Sequence, residues 1–224
     1  MNTFAFIKNE KKQVIFIIIF ELIIIGLLGI VLLWISNNFI IHNPSKPAFR
    51  IIGTIVQLFV LLLFLYIKSP SVKDIGLSWK SINPKYRIYY VIGLALIPLL
   101  LISGCFFMPF FAFTMNLRFG IMAALFEEII FRGYIWHKMQ SKQFDDITII
   151  FTTAIFFGLF HLAGYYEIGY ATSFFKDAPG LSSILRQKVL ANIGYGFFLG
   201  FLRYKSKNLY LSLIVHSIGN FMGH

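Results

Sequence analysis

The chain alternates long apolar runs with short polar clusters. The runs cover residues 14–35, 48–67, 88–114, 117–139, 147–165, 187–203 and 208–222, and charge gathers at 8–12, 68–87, 138–146 and 203–207. Most runs approach the ~20 residues that a helix needs to cross a bilayer core, and none shows the short alternating segments of an outer-membrane barrel. The pattern predicts an all-α fold, a polytopic membrane helix bundle of seven transmembrane helices. The third run is interrupted by Pro98, Gly104 and Pro109, so it is either kinked or split, and a split would give eight.

The polar stretches have their own character. Residues 68–87, with Pro70, Pro84 and the amphipathic VKDIGLSWK, read as a cytoplasmic connector lying on the membrane surface. Residues 166–186 are mixed and punctuated by Gly and Pro, as in an external loop with an interfacial helix. With no internal repeat or soluble domain in view, the chain reads as one membrane domain. Residues 1–87 form a two-helix anchor with its connector, and 88–224 form a helix bundle that carries the chemistry.

Composition reinforces this picture. Of 224 residues 58% are hydrophobic and 13% charged, and mean hydropathy is +0.78. The first run follows Lys8, Lys11 and Lys12 but is too long for a signal-peptide core and has no A-x-A site after it, so it is expected to remain as an anchor. The single cysteine, Cys105, excludes a disulfide framework and a Cys-rich zinc pattern. The net charge of +11 is distributed between apolar spans and forms no aromatic-interleaved patch, so membrane topology explains it and nucleic acid does not.

With the amino terminus inside, the cytoplasm receives Lys8, Lys11, Lys12, Lys68, Lys73, Lys80, Lys85, Arg87, Lys138, Lys142, Arg203, Lys205 and Lys207. The outside receives Lys46, Arg50, Arg118, Lys176, Arg186 and Lys188. This bias of 13 to 6 predicts amino terminus in and carboxyl terminus out.

The stretch ALFEEIIFRG, residues 124–133, breaks the apolar pattern with two carboxylates and a guanidinium. At a helix centre three such charges disfavour insertion by about 7–10 kcal/mol unless they pair or line a wet cavity. Glu128 and Arg132 are four apart and share a helix face, whereas Glu127 is turned by about 100°. Arg132 therefore neutralises one carboxylate and leaves the other as a general base toward water. The competing reading is an i,i+4 ion pair that joins two helices.

Two further runs carry polar groups at matching depth. His161 lies in FFGLFHLAG, and His216 and Asn220 lie four apart in LIVHSIGN. At 1.5 Å per residue from the cytoplasmic end of each run, Glu127 lies about 18 Å deep, His161 about 21, His216 about 12 and Asn220 about 18. Antiparallel runs thus place them in one layer. A lone intramembrane His or Asn is otherwise a helix-pairing hydrogen bond. His42, His137 and His224 fall at interfaces or the terminus, and Glu21 reads as a snorkelling or helix-pairing acid.

These motifs, EEIIFR, FGLFH and HSIGN, in this order on separate spans, resemble the CAAX protease and bacteriocin-processing (CPBP, or Abi) family of glutamic intramembrane proteases. The resemblance runs from about residue 88 to the end, and the family's third motif has no clear counterpart around Asn192. It implies that Glu127 and His161 activate a water, that Glu128 and Arg132 support the helix and tune its charge, and that His216 and Asn220 donate to a tetrahedral oxyanion. It implies endoproteolysis with no cofactor, on a peptide or protein substrate such as a leader peptide, peptide signal or bacteriocin. Small size and Ile/Lys/Asn/Phe-rich usage point to a bacterial plasma membrane.

Three other readings compete. A metalloprotease would use Glu127, His161 and His216 as zinc ligands. A proton-coupled transporter would need buried acids and histidines, but commonly with repeat symmetry. A non-catalytic scaffold or immunity protein would keep the motifs without turnover.

The charge bias and the depths together predict a polar cavity that opens to the cytoplasm. A cysteine placed beside Lys205 should react in intact cells only with membrane-permeant reagents, and one appended after His224 with impermeant ones. The reverse labelling would overturn the orientation.

Overall fold

The computed structural model describes residues 3–35, 47–107, 109–161 and 181–223. Each apolar run is helical there: α1 is Thr3–Ile35, α2 Pro47–Lys68, α3 Arg87–Phe107, α4 spans 110–141, α5 is Asp146–Phe160, α6 Leu181–Ser206 and α7 Tyr210–Gly223. No strand occurs among the described residues. Two segments, Glu10–Leu32 and Ile51–Lys68, are long and apolar enough to cross a membrane, and Asp146–Phe160 is a shorter apolar helix. His42, His224, the side chain of Cys105 and most of the 166–186 loop lie outside the described residues.

The third run differs from expectation in where it ends. Pro98 sits inside α3 without ending it, and residues 110–114 belong to α4 instead. Pro109 makes the division: its ring cannot continue a helix from before, while its carbonyl accepts from the Phe113 amide at 3.1 Å and opens α4. The described chain therefore has seven rods.

Helix α4 is unusual in its winding. Its α-helical pieces Phe110–Met115, Ala124–Glu128 and Trp136–Ser141 alternate with π-helical turns at Asn116–Ala123 and Ile129–Ile135. A π turn displaces backbone carbonyls from the regular ladder, and such turns concentrate at functional sites. Side chains of other helices serve both turns. Asn220 of α7 donates to the Phe119 carbonyl at 2.7 Å, and Arg203 Nε of α6 donates to the Arg132 carbonyl at 3.1 Å.

Helices α5 and α6 meet backbone to backbone. A Cβ on Gly196 would lie 3.0 Å from Ala154 Cα, and one on Gly158 would lie 2.8 Å from the Val189 carbonyl oxygen and press into the Ile193 side chain. Small residues at such a crossing let dispersion and carbonyl contacts replace side-chain thickness. Asp145 starts α5 as its N-cap, with its carboxylate accepting from the Thr148 amide at 2.8 Å.

The connector at residues 69–86 is amphipathic, as the sequence indicates, but it is folded into a turn and two short 3₁₀ segments, Trp79–Ser81 and Pro84–Tyr86. Ile75 and Ile82 are buried, while Val72, Trp79 and Tyr86 face outward. Gly76 adopts φ +77°, a left-handed conformation that glycine takes without strain, and its carbonyl accepts from the Leu209 amide at 2.8 Å. Ser71 and Asp74 cap each other through backbone amides at 3.1 and 3.2 Å. Glu21 proves to be a helix-pairing acid. Its carboxylate accepts from Lys68 at 2.6 Å, from Lys138 at 2.9 Å and from the Tyr134 hydroxyl at 3.3 Å, tying α1 to α2 and α4.

Gly158→Ala should destabilise the protein by about 1–3 kcal/mol, because the methyl is forced onto a backbone oxygen and cannot be relieved by a rotamer change. Gly194→Ala, whose Cβ would meet nothing within 4 Å, should leave thermal unfolding unchanged or slightly raised. Equal unfolding temperatures for the two variants would contradict the close α5–α6 contact.

Candidate active site

The interior of the bundle holds a chain of charge that starts in α4. Glu128 and Arg132 are fully buried, with Oε1 and Nη1 at 3.1 Å. An isolated buried ion is costly, and a buried pair gains from engaging its remaining hydrogen-bond capacity, which here is engaged only in part, since Glu128 Oε2 and Arg132 Nε have no hydrogen-bond partner among the described residues. Arg132 Nη2 donates to the Gly196 carbonyl at 3.0 Å, and the guanidinium lies over the Phe157 ring at 4.3 Å. The i,i+4 pair expected from sequence therefore forms, and it also reaches α6 and α5.

The Glu128 carboxylate has a second partner that spacing along one helix does not reveal. His216 Nδ1 of α7 lies 3.0 Å from the same Oε1. A carboxylate held against a guanidinium accepts only, so the Nδ1 proton belongs to His216. The imidazole Nε2 then turns toward Glu127 Oε2 at 3.6 Å. His216 thus bridges the two glutamates.

His161 presents the same geometry from the other side. It sits just past the last residue of α5, and its Nδ1 donates to the Phe157 carbonyl at 2.7 Å. Its Nε2 faces Glu127 Oε1 at 3.8 Å. Phe157 organises this corner, meeting His161 edge-on at 4.7 Å and His216 at 5.8 Å between ring centroids. Glu127 and His161 retain some exposure, 14% and 18% of their side chains, whereas His216 keeps 3%. The opening of the cluster thus lies on the Glu127–His161 side.

The structure brings Glu127, Glu128, Arg132, His161 and His216 together. Asn220 is one turn beyond His216, and one of its two amide protons is engaged by the Phe119 carbonyl. Asn192 stands apart: its amide donates to the Lys188 carbonyl on the outside of α6. His137 lies at the connector, 3.8 Å from Asp74.

Three residues escaped the sequence reading. Arg203 was counted only as a cytoplasmic charge, yet it is buried, donates to the Arg132 carbonyl and covers the Trp136 ring at 5.6 Å. Arg118, expected at the outer surface, is buried with its guanidinium where a Cβ of Gly53 would be. Tyr195 of α6 stands edge-on to His216 at 5.3 Å. For Arg118 the sign in the sequence is a lone positive charge in an otherwise apolar turn, whereas Arg203 stands at the head of the cluster with Lys205 and Lys207 and carries no such sign.

Comparison with known proteins bears on the same region. A family model described as Type II CAAX prenyl endopeptidase Rce1-like matches residues 109–222, just over half of the chain, from the start of α4 to the end of α7. No curated protein and no solved structure matches the chain. The matched region contains every residue of the buried cluster, and the chain belongs to the Rce1-like family of type II CAAX prenyl endopeptidases.

Proposed function

We propose that the protein is an intramembrane endopeptidase in which Glu127, with His161, activates water for attack on a peptide carbonyl. The observation that carries this reading is the convergence of two imidazole Nε2 atoms on the two oxygens of one carboxylate, at 3.8 and 3.6 Å. Those separations are too long for direct hydrogen bonds and suit a bridging water. Because each ring gives its Nδ1 proton elsewhere, each neutral Nε2 presents a lone pair. A water there donates to Glu127 and to His161 and keeps an oxygen lone pair for the carbonyl carbon.

The reaction balances on these groups. As the new C–O bond forms, Glu127 takes the water proton and the carbonyl electron pair moves to oxygen. As the C–N bond breaks, that proton passes to the departing amine, giving an acid and an amine for each water consumed. Asn220 has its second amide proton for the oxyanion, whereas the bare Nε2 of His216 in this tautomer offers none. Glu128 and Arg132 fix His216 and the stretch of α4 that presents Glu127.

The apolar exterior supports a multi-pass bundle in lipid: Phe16 is 71% exposed, Phe106 79% and Tyr89 67%. Together with the charge bias and the Ile/Lys/Asn/Phe-rich usage, it supports the reading of a bacterial plasma-membrane protein with a cytoplasmic amino terminus. Its substrate is a membrane-delivered peptide or protein, such as a leader peptide, peptide signal or bacteriocin precursor. A zinc hydrolase using Glu127, His161 and His216 is the second reading, favoured by ring orientations that metal-ligating histidines also adopt. Among the described residues no group of three or more His, Cys, Asp or Glu is set to hold a metal ion.

Glu127→Gln should reduce cleavage by at least about 10²-fold, with an unchanged unfolding temperature, because the base is lost and the shape kept. Cleavage by the purified variant at the wild-type rate would overturn the glutamate mechanism. Glu128→Gln should lower both activity and stability, since removing one partner of a buried pair costs about 3–5 kcal/mol. A loss confined to activity would contradict the supporting role.

Chelators should leave cleavage unaffected. Loss with chelator and recovery with added Zn²⁺ would establish the second reading instead.

A further inference from the structure

Beside the cluster lies a buried hydroxyl with no hydrogen-bond partner among the described residues, that of Tyr195. Its position is well determined by its neighbours. Arg132 Nη2 holds the carbonyl of the next residue, Gly196, at 3.0 Å, and the Tyr195 ring meets His216 edge-on at 88° and stacks beside Phe198 at 6.4 Å. A buried donor that bonds to nothing is destabilising, and such groups are retained where a ligand completes them.

The hydroxyl packs against Gly219, which lies between His216 and Asn220 on α7. A Cβ on Gly219 would sit 2.7 Å from the Tyr195 oxygen, and among the described residues outside this turn of α7 only the tyrosine comes within 4 Å of that point. Gly219 itself is exposed. The missing side-chain volume at this position is what the tyrosine hydroxyl takes up. The other donors here are partly committed, His216 Nδ1 to Glu128 and one Asn220 proton to Phe119.

We infer that Tyr195 is a further catalytic residue, whose hydroxyl donates a hydrogen bond to the carbonyl oxygen of a peptide seated over Gly219. This rests on the peptidase reading above. As water adds to the carbonyl carbon, the oxygen gains the electron pair and the hydrogen bond strengthens. Tyr195 keeps its proton throughout. Removing one such donor typically costs ~10²–10³ in rate.

The test uses the full chain in detergent micelles. Its probe is a tryptic peptide mixture from a bacterial proteome, with new termini read by mass spectrometry, followed by kinetics on a quenched synthetic copy of the fastest-cleaved peptide. Tyr195→Phe should lower kcat about 10²-fold, change KM less than twofold, and leave the unfolding temperature unchanged or raised. Gly219→Ala should cause a similar loss by displacing the hydroxyl. In the Tyr195→Phe background its effect should be smaller than in wild type, because the clash with the hydroxyl is gone and the ring carbon lies 3.7 Å from the new methyl, an ordinary contact.

Wild-type kcat for Tyr195→Phe, alongside an inactive Glu127→Gln, would overturn this inference and leave the peptidase reading standing. Equal peptide cleavage by wild type and Glu127→Gln would overturn that reading and this inference with it. A lowered unfolding temperature for Tyr195→Phe would show a structural bond to the hydroxyl and also overturn the assignment.

Discussion

Everything in the interior depends on how one buried carboxylate is neutralised. Glu128 is fully removed from solvent and accepts from Arg132 at 3.1 Å and His216 at 3.0 Å on the same oxygen. Such a group is tolerated in an apolar bundle only if its partners come from elements that cannot drift apart. Arg132 reaches α6 through Gly196, and His216 arrives on α7. The need to satisfy one charge therefore sets the rotation of three helices about their axes. Glu127, the next residue on α4, is then presented to both imidazoles.

The winding of α4 and the close contact of α5 with α6 follow from this constraint. A π turn over Ile129–Ile135 surrounds Arg132, and Arg203 takes the Arg132 carbonyl from the side. Arg203 also lies against Gly76, whose carbonyl holds the start of α7 through Leu209. The connector, α4, α6 and α7 are thus joined at the end of the bundle by a run of donors to backbone oxygens. Gly158 and Gly196 remove side-chain thickness between α5 and α6, so that Phe157 can pack on the Arg132 guanidinium and both histidines.

Much of this was legible in the sequence because the relevant periodicities are local. Apolar length points to seven rods, with bounds close at α2 and α7 but eleven residues late at the start of α1 and seven late at the α3–α4 border, and the spacing of Glu128 and Arg132 points to their ion pair. Depth along antiparallel runs placed His161 and His216 beside Glu127, since rise per residue is nearly constant. The contact between His216 and Glu128 was not legible, because it depends on the rotation of α7 against α4. The π turns were hidden for a similar reason: their carbonyls are stabilised by Asn220 and Arg203, about 100 and 70 positions away along the chain. Arg203 and Arg118 were assigned to the surface because a charge count treats every cation near a helix end alike. Pro109, and not Pro98, ended α3, since a proline within an apolar helix can be carried where neighbouring groups satisfy the displaced carbonyl.

The central claim is that both imidazoles give their Nδ1 protons to fixed acceptors and turn bare Nε2 atoms toward Glu127. Nitrogen-15 NMR of the full chain with labelled histidine, with His161 and His216 assigned by single substitution, reads the tautomers directly. The account predicts a proton on Nδ1 of both rings in the resting protein. A neutral ring with its proton on Nε2 at either position would contradict it.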